Sequence, residues 1–198
     1  MTFVPQDVNH GIKFQRIDLP GQPIVEADCD YVVDVSRGTT IEKNSARVNT
    51  VEHTLAALTG MEIDNVLIQL DGPEPPIMDG SSKMFVDAIS DVGVLEQNAL
   101  KNFFVVPENI RFVDEARKVE IAALPLDDYR VTVMVDYNSP VLGSQHASIT
   151  DIKQFPKEIA ACRTFCFLHE LEMLKANNLI KGGDLNNAIV IVDRIVKD

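Results

Sequence analysis

The order of apolar and polar residues predicts several short strands in the first half of the chain. Residues 12–17 alternate apolar and polar side chains, as a half-buried strand does, and residues 65–70 form the mostly apolar run of a buried strand. Turn-forming residues at 42–45 separate two further strand-like segments and indicate a hairpin. The pattern predicts strands over residues 1–4, 12–17, 31–35 and 65–70, and a hairpin that pairs 39–41 with 46–48.

A short helix is predicted directly after this hairpin. Val51, Leu55 and Leu58 recur at helical spacing and would share one face. Thr50 is the expected N-cap, and Gly60 is expected just past the last helical residue. The hairpin therefore leads the chain straight into the first turn of a helix.

The second half repeats the order of strands followed by helices. An amphipathic helix over residues 82–92 ends at Gly93, and a boundary is expected near 97–101. Beyond it the pattern predicts a four-stranded antiparallel meander at 103–106, 109–113, 119–123 and 130–136, helices within 149–160 and 168–177, and a strand at 188–192. We therefore predict an α+β protein of two similar units, residues 1–98 and 99–198, without a clear sequence repeat.

Composition excludes several classes of partner. The chain has 198 residues, 45% hydrophobic and 24% charged, which is typical of a globular protein. Its net charge of -12 argues against nucleic-acid binding and against anionic membrane surfaces, because both require a basic face. The sequence has neither an apolar run of membrane-span length nor a signal peptide, so we expect a cytoplasmic protein. Its three cysteines lack paired CxxC spacing and are expected to be free thiols.

Glu52 and His53 stand side by side in the first turn of the first predicted helix. The positive end of a helix favours an ionised carboxylate and disfavours an imidazolium, so a neutral ligand histidine beside an anionic base is reasonable there. A catalytic zinc takes three protein ligands, but His10, His146 and His169 form no HExxH or HxxxH spacing with His53. From residue types alone, a metal site, a proton transfer and a capping or solvent-facing histidine all remain open.

Two other segments contain residues of chemical interest. Thr164 precedes Phe165 and Phe167, for which core packing is a commoner role than lining a ligand tunnel. The acidic loop at residues 71–82 has oxygen ligands suited to a hard cation, yet carboxylates among Gly and Pro are also common turn formers. The residues alone thus indicate an α+β protein with one notable dyad.

Five segments occur together and in a recognisable order. They are VNTVEH at residues 48–53, DN at 64–65, DGPEPPIMDGS at 71–81, RTFCF at 163–167 and LIKGGDLNNAIV at 179–190. Over the whole chain they closely resemble the zinc deacetylase of lipid A biosynthesis in Gram-negative bacteria. That family removes acetate from UDP-3-O-(3-hydroxyacyl)-N-acetylglucosamine. The resemblance implies a zinc-dependent amidohydrolase of lipopolysaccharide synthesis that binds Zn²⁺ and a UDP-linked acylated glucosamine, with its two units forming a layered sandwich with small inserts.

The resemblance also assigns roles to individual residues. His53 would be one zinc ligand, and Glu52 would be the general base that activates water toward the acetamide carbonyl. Thr164 would hydrogen-bond the developing oxyanion, an interaction typically worth about 3 kcal/mol. Inserts are expected at about 39–48 and 165–187, the second forming a hydrophobic passage for the acyl chain. The residues expected to line this passage are Phe165, Phe167, Leu171, Ile180, Leu185, Asn187 and Val190.

Some site residues of the family have no counterpart in this sequence. The family places two further zinc ligands on a His-Lys-x-x-Asp helix, a general-acid histidine in a Gly-His segment, and a Gly-x-Gly-Leu-His motif in its opening strand. We therefore expect a fragment that lacks both ends and is inactive alone, because one histidine does not hold a catalytic zinc tightly. Two alternatives are a non-catalytic module that binds the nucleotide and acyl groups, and part of a fusion with a 3-hydroxyacyl carrier-protein dehydratase.

Overall fold

The computed structural model describes residues 1–176 and 184–192, without the side chains of residues 174 and 175. The fold is mixed α+β with several small, mainly antiparallel sheets and few helices, as predicted. The strands are β1 (Thr2–Pro5), β2 (Ile12–Arg16), β3 (Ile24–Glu26), β4 (Val32–Asp34), β5 (Thr40–Lys43), β6 (Ala46–Val48), β7 (Val66–Leu70), β8 (Ile110–Asp114), β9 (Val119–Ala123), β10 (Val131–Asp136), β11 (Ser144–Ile149), β12 (Phe165–Phe167) and β13 (Ile189–Ile191). The helices are α1 (Glu52–Gly60), α2 (Lys83–Val92), α3 (Phe155–Glu158) and α4 (Leu171–Ala176), with 3₁₀ turns at Cys29–Tyr31, Ile152–Gln154 and Leu168–Glu170.

A four-stranded sheet in the order β1-β7-β2-β3 forms the centre of the first half. β7 runs antiparallel to β1 and parallel to β2, which in turn is antiparallel to β3. Val66, Ile68 and Leu70 alternate onto the buried face of β7, as the strand period requires. They pack with Phe14 of β2 and with Leu58 of α1, so this sheet supports the helix that contains the dyad.

The predicted hairpin is confirmed as β5 and β6, with β4 alongside β5. Asn44 and Ser45 at its tip have φ values of 49° and 67°, as a two-residue hairpin turn requires. The prediction that Thr50 caps α1 is wrong: Thr50 has φ 52°, and Val51 occupies the N-cap position without a side-chain hydrogen bond. The left-handed backbone at Thr50 turns the chain from β6 into α1, whereas an N-cap residue normally has extended backbone. Gly60 is the last helical residue rather than the first one beyond it.

A second apolar cluster joins the two halves of the sequence. Ala57 of α1 and Phe85 of α2 pack with Ile149 and with Phe155 of α3. Gly60 makes this contact sterically possible, because a β-carbon at that position would overlap the Phe155 ring. α1 therefore lies between the first sheet and the second half of the chain.

The second half differs from the predicted meander. Residues 103–106 form no strand, and Phe103 and Phe104 are 77% and 87% exposed. β8–β9 and β10–β11 are separate antiparallel pairs, and β12 pairs in parallel with β13. The polar residues of β11 lack an apolar strand pattern, which is why its pairing with β10 was not predicted. The similarity of the two units stays a prediction.

Two smaller expectations can be compared directly with the fold. No helix within the described ranges is long and apolar enough to cross a membrane. The cysteines are free, as predicted, with Cys29 and Cys162 exposed and Cys166 buried.

Candidate active site at the junction of the two halves

Glu52 lies in the first turn of α1 and is held by the loop that precedes β5. Its Oε2 accepts a hydrogen bond of 2.8 Å from the Thr39 N–H. Gly38 lies against the carboxylate, and a β-carbon there would be 3.1 Å from Oε1. The half-buried carboxylate therefore has a fixed orientation, and the absence of a side chain at Gly38 leaves space beside it. Sequence patterns did not indicate this contact, because neither Gly38 nor Thr39 belongs to a local motif with Glu52.

His53 follows in the same turn and is also half-buried. Its carbonyl oxygen accepts a hydrogen bond of 2.9 Å from the buried Ser82 hydroxyl. Ser82 is the N-cap residue of α2, so the start of α2 is tied to the first turn of α1. The acidic loop consequently ends beside the dyad.

The end of the acidic loop is stabilised by its own side chains, as the turn interpretation predicts. Asp79 Oδ1 accepts hydrogen bonds from the Ser81 hydroxyl at 2.7 Å and from the Ser81 N–H at 3.1 Å. The Ser81 hydroxyl is the main cause of a lowered pKa at Asp79, and the positive charge of Arg163 adds to it. The carboxylate thus serves to shape the turn before Ser82.

Thr164 is attached to the same loop from the second half of the chain. Its N–H donates to the Gly80 carbonyl at 2.7 Å, and its own carbonyl accepts from the Ile189 N–H at 3.0 Å. A β-carbon on Gly80 would lie 3.2 Å from Thr164 Cγ2, so the methyl group rather than the hydroxyl faces Gly80. The structure therefore brings Thr164, Ser82 and the dyad's helix together through one loop.

Four aromatic rings extend away from Thr164. Tyr137 and Phe165 meet edge to face at 5.5 Å between centroids, as do Phe165 and Phe167 at 5.8 Å, and Phe167 stacks on His169 at 5.4 Å. Tyr137 follows β10 and was not predicted, because its contact with Phe165 spans unrelated segments. The series forms a largely aromatic surface that begins next to Thr164.

The parallel pairing of β12 and β13 sorts the predicted passage residues by face. Phe165 and Phe167 share one face of β12 because strand side chains alternate. Val190 pairs with Cys166 in the register, so it lies on the opposite face from the two rings. The structure thus brings Phe165 and Phe167 together but separates Val190 from them.

The other predicted passage residues lie nearby in the chain but not in one lining. Leu171 is half-buried at the start of α4, and Leu185 is 74% exposed. Asn187 is half-buried, and its carbonyl lies against Gly80. Ile180 lies outside the described residues. The passage as a whole stays a prediction.

An ion pair links the loop near Glu52 to the segment that follows β12. Arg37 Nη2 lies 2.9 Å from Glu170 Oε1, while Glu170 Oε2 accepts the Phe167 N–H at 3.1 Å. Glu170 is a quarter exposed and Arg37 somewhat more, so solvent weakens the pair. The contact was not predicted, because the two residues are far apart in sequence.

The donors around His53 do not by themselves fit a catalytic zinc. Such a site takes three protein ligands and a water molecule. Across residues 1–176 and 184–192, one group of three metal-binding side chains lies within ligand distance, namely Asp28, Cys29 and Asp30 on an exposed turn. Within these ranges, neither His53 nor the acidic loop belongs to such a group. His53 thus supplies one donor, and the described chain does not complete a set of three.

Comparison with known proteins decides the family. The family model for UDP-3-O-acyl N-acetylglycosamine deacetylase, LpxC, matches residues 1–198. The chain belongs to the LpxC family. It is 51% identical over 195 residues to the "Bifunctional enzyme LpxC/FabZ" of Chlorobaculum tepidum and 47% identical over 194 residues to that of Bacteroides thetaiotaomicron. It is 41% identical over 192 residues to the "UDP-3-O-acyl-N-acetylglucosamine deacetylase" of Myxococcus xanthus.

These LpxC relatives are longer than the chain. The alignments cover 98% of this chain but 42% of each bifunctional relative, and 96% of this chain but 60% of the Myxococcus protein. The family assignment therefore applies to the chain itself. The activity named for each whole relative also involves chain that these alignments do not cover.

Proposed function

We propose that this chain is the larger part of a deacetylase region that hydrolyses the acetamide of UDP-3-O-acyl-N-acetylglucosamine and releases acetate in lipid A biosynthesis. The single observation that supports this most strongly is the junction at which the loop 79–82 connects the first turn of α1 with Thr164. The match to the LpxC family over the full chain gives the reaction class.

In this proposal the chain's own residues have separate tasks. Glu52 accepts a proton from the attacking water, and the Thr39 N–H holds its carboxylate in place for that transfer. The Thr164 hydroxyl donates a hydrogen bond to the oxygen that becomes negative in the tetrahedral transition state, where one such donor lowers the barrier by about 3–4 kcal/mol. The aromatic surface beginning at Phe165 provides apolar contact for an acyl chain.

Zinc and further domains belong to a longer protein in this proposal. A catalytic zinc supplies an activated water molecule and polarises a carbonyl. Because His53 is one donor, we propose that the remaining ligands come from additional chain of the kind that the longer relatives contain. We likewise propose a fused dehydratase domain, which the bifunctional relatives support, and a cytoplasmic location, which rests on the sequence expectation alone.

The proposal is tested by Glu52→Gln in the longer natural protein. Glutamine keeps the size of the side chain but cannot accept the proton, so kcat for acetate release should fall by about 10²–10⁴. Zinc content, measured by atomic emission, should stay unchanged because His53 and its backbone contact with Ser82 are intact. Glu96→Gln is the matched control, since Glu96 is exposed between α2 and β8 and should leave kcat unchanged.

The outcomes separate the proposal from its alternatives. Retained turnover in Glu52→Gln would contradict the role of Glu52 as the base. A wild-type longer protein that binds the UDP substrate but releases no acetate would instead favour the non-catalytic binding module.

A further inference from the structure

The Arg163 side chain bridges two segments that lie on either side of Thr164. Its Nε donates to the Asp79 carbonyl at 2.6 Å, in the acidic loop of the first half. Its Nη2 donates to the Leu185 carbonyl at 3.2 Å, in the turn before β13. The side chain is half-buried, and the rigid fork of a guanidinium suits two separate carbonyl acceptors.

The backbone of Thr164 is held by the same two segments. The Gly80 carbonyl, one residue after Asp79, accepts its N–H, and the Ile189 N–H, four residues after Leu185, donates to its carbonyl. Gly80 allows this approach because it has no side chain and a φ of 83°. Arg163 therefore fixes the distance between the loop and the turn that together determine where Thr164 lies.

Arg163 is well placed to act through Thr164 rather than on the substrate. Both of its described hydrogen bonds go to main-chain carbonyls, so the guanidinium joins two segments of backbone. Thr164 is exposed, and its methyl carbon is the side-chain atom that would lie nearest to a β-carbon on Gly80. A small displacement of an oxyanion donor costs much of its effect, because the hydrogen bond depends on its geometry.

We propose that Arg163 is a positioning residue that sets the place of the Thr164 hydroxyl by holding the Asp79 and Leu185 carbonyls at a fixed separation. This inference rests on the proposed function for its catalytic consequence. The geometric part, that Arg163 holds the Thr164 backbone, can be tested without any activity.

The first arm measures amide hydrogen exchange on the 198-residue chain by NMR. Lysine keeps the charge but lacks the fork, so Arg163→Lys should raise the exchange rate of the Thr164 amide at least about tenfold. The Ile68 amide in β7 should be unchanged, because Ile68 is buried in the centre of the first sheet, where β7 pairs with β1 and β2. Arg117→Lys, on the exposed β8–β9 turn, is the matched control and should alter neither amide.

The second arm measures kinetics on the longer natural protein. Arg163→Lys should lower kcat by about 10- to 100-fold with KM within about twofold, less than the roughly 10²–10³-fold loss expected for Thr164→Val. If Arg163 acts through Thr164, the double variant should be no slower than Thr164→Val alone. Two losses that multiply would overturn the proposal.

The two arms distinguish the possible failures. Unchanged exchange at Thr164, or increased exchange at Ile68 as well, would overturn the positioning role, the latter because it shows Arg163 to support the fold in general. A wild-type longer protein without deacetylase activity would refute the proposed function, while the exchange result would still decide whether Arg163 holds Thr164.

Discussion

Gly80 is one point where the two halves of the candidate site touch, and replacing it by alanine should separate them there. Its φ of 83° is unfavourable for a residue with a side chain. The added β-carbon would overlap the Asn187 carbonyl oxygen and lie 2.9 Å from its carbonyl carbon. The overlap is with backbone, so a rotamer change cannot relieve it. The loop and the turn must move apart, and the hydrogen bond between the Thr164 N–H and the Gly80 carbonyl must lengthen or break.

The size of the effect follows from these contacts. A left-handed conformation costs an L-residue about 1–2 kcal/mol relative to glycine. Losing the 2.7 Å hydrogen bond at Thr164 and weakening that from Arg163 to Asp79 adds about 1 kcal/mol each. We therefore expect Gly80→Ala to lower the free energy of unfolding by about 3–4 kcal/mol. For a chain of 198 residues this corresponds to a fall in Tm of about 6–16 °C.

Urea unfolding followed by circular dichroism measures this change, and the same loop supplies a control. A β-carbon added at Gly72 would have no other atom within 4 Å, and the φ of Gly72 is not positive, so Gly72→Ala should change stability by less than about 0.5 kcal/mol. If Gly80→Ala is as stable as Gly72→Ala, the contact between Gly80 and Asn187 does not exist as described. The described connection from Thr164 through the loop at Gly80 to α1 would then also be in error.

Three further predictions concern other parts of the chain. Gly60→Ala should cost about 1–3 kcal/mol in urea unfolding because its methyl group overlaps the Phe155 ring, and adding Phe155→Leu should cost less than the sum of the single changes. The hydrogen bond from Arg16 lowers the pKa of Asp18, so ionised Asp18 stabilises the fold above its ordinary pKa of about 3.9, and this stabilisation is lost as the pH falls. The Tm of Asp18→Asn should therefore decrease less than that of the wild type between about pH 6 and pH 3. An equal decrease would contradict the pairing. Burial raises the pKa of the Cys166 thiol, so Cys166 should react with iodoacetamide at about pH 8 more slowly than the two exposed cysteines. Peptide mapping measures these rates, and equal rates would contradict the burial of Cys166.

Local patterns in the sequence predicted the elements that support the site. The mostly apolar run of β7 and the amphipathic repeat of α2 are properties of neighbouring residues, and both elements form where expected. Thr50 was misassigned because residue type favours a threonine N-cap, whereas the turn out of β6 requires a left-handed residue at that point. The run at 103–106 has strand-forming residues but no partner strand among the described residues.

Contacts between distant residues could not be predicted in the same way. The sequence and its resemblance identified Glu52, His53 and Thr164 as candidates, yet nothing local indicated that Thr39 holds the Glu52 carboxylate. Arg163 and Asp79 are separated by 84 positions, and their hydrogen bond depends on how the two halves pack. Sequence reasoning therefore proposed the candidate side chains but not the groups that orient them.

The most direct test compares zinc content and acetate release for the 198-residue chain and for the longer protein of which we propose it is a part. With UDP-3-O-acyl-N-acetylglucosamine as substrate, we expect the longer protein to retain about one zinc per chain and to release acetate. The 198-residue chain, in whose described residues His53 is the one candidate zinc donor at the site, should do neither. Stoichiometric zinc together with turnover in the 198-residue chain, or no acetate from the longer protein, would contradict the proposal.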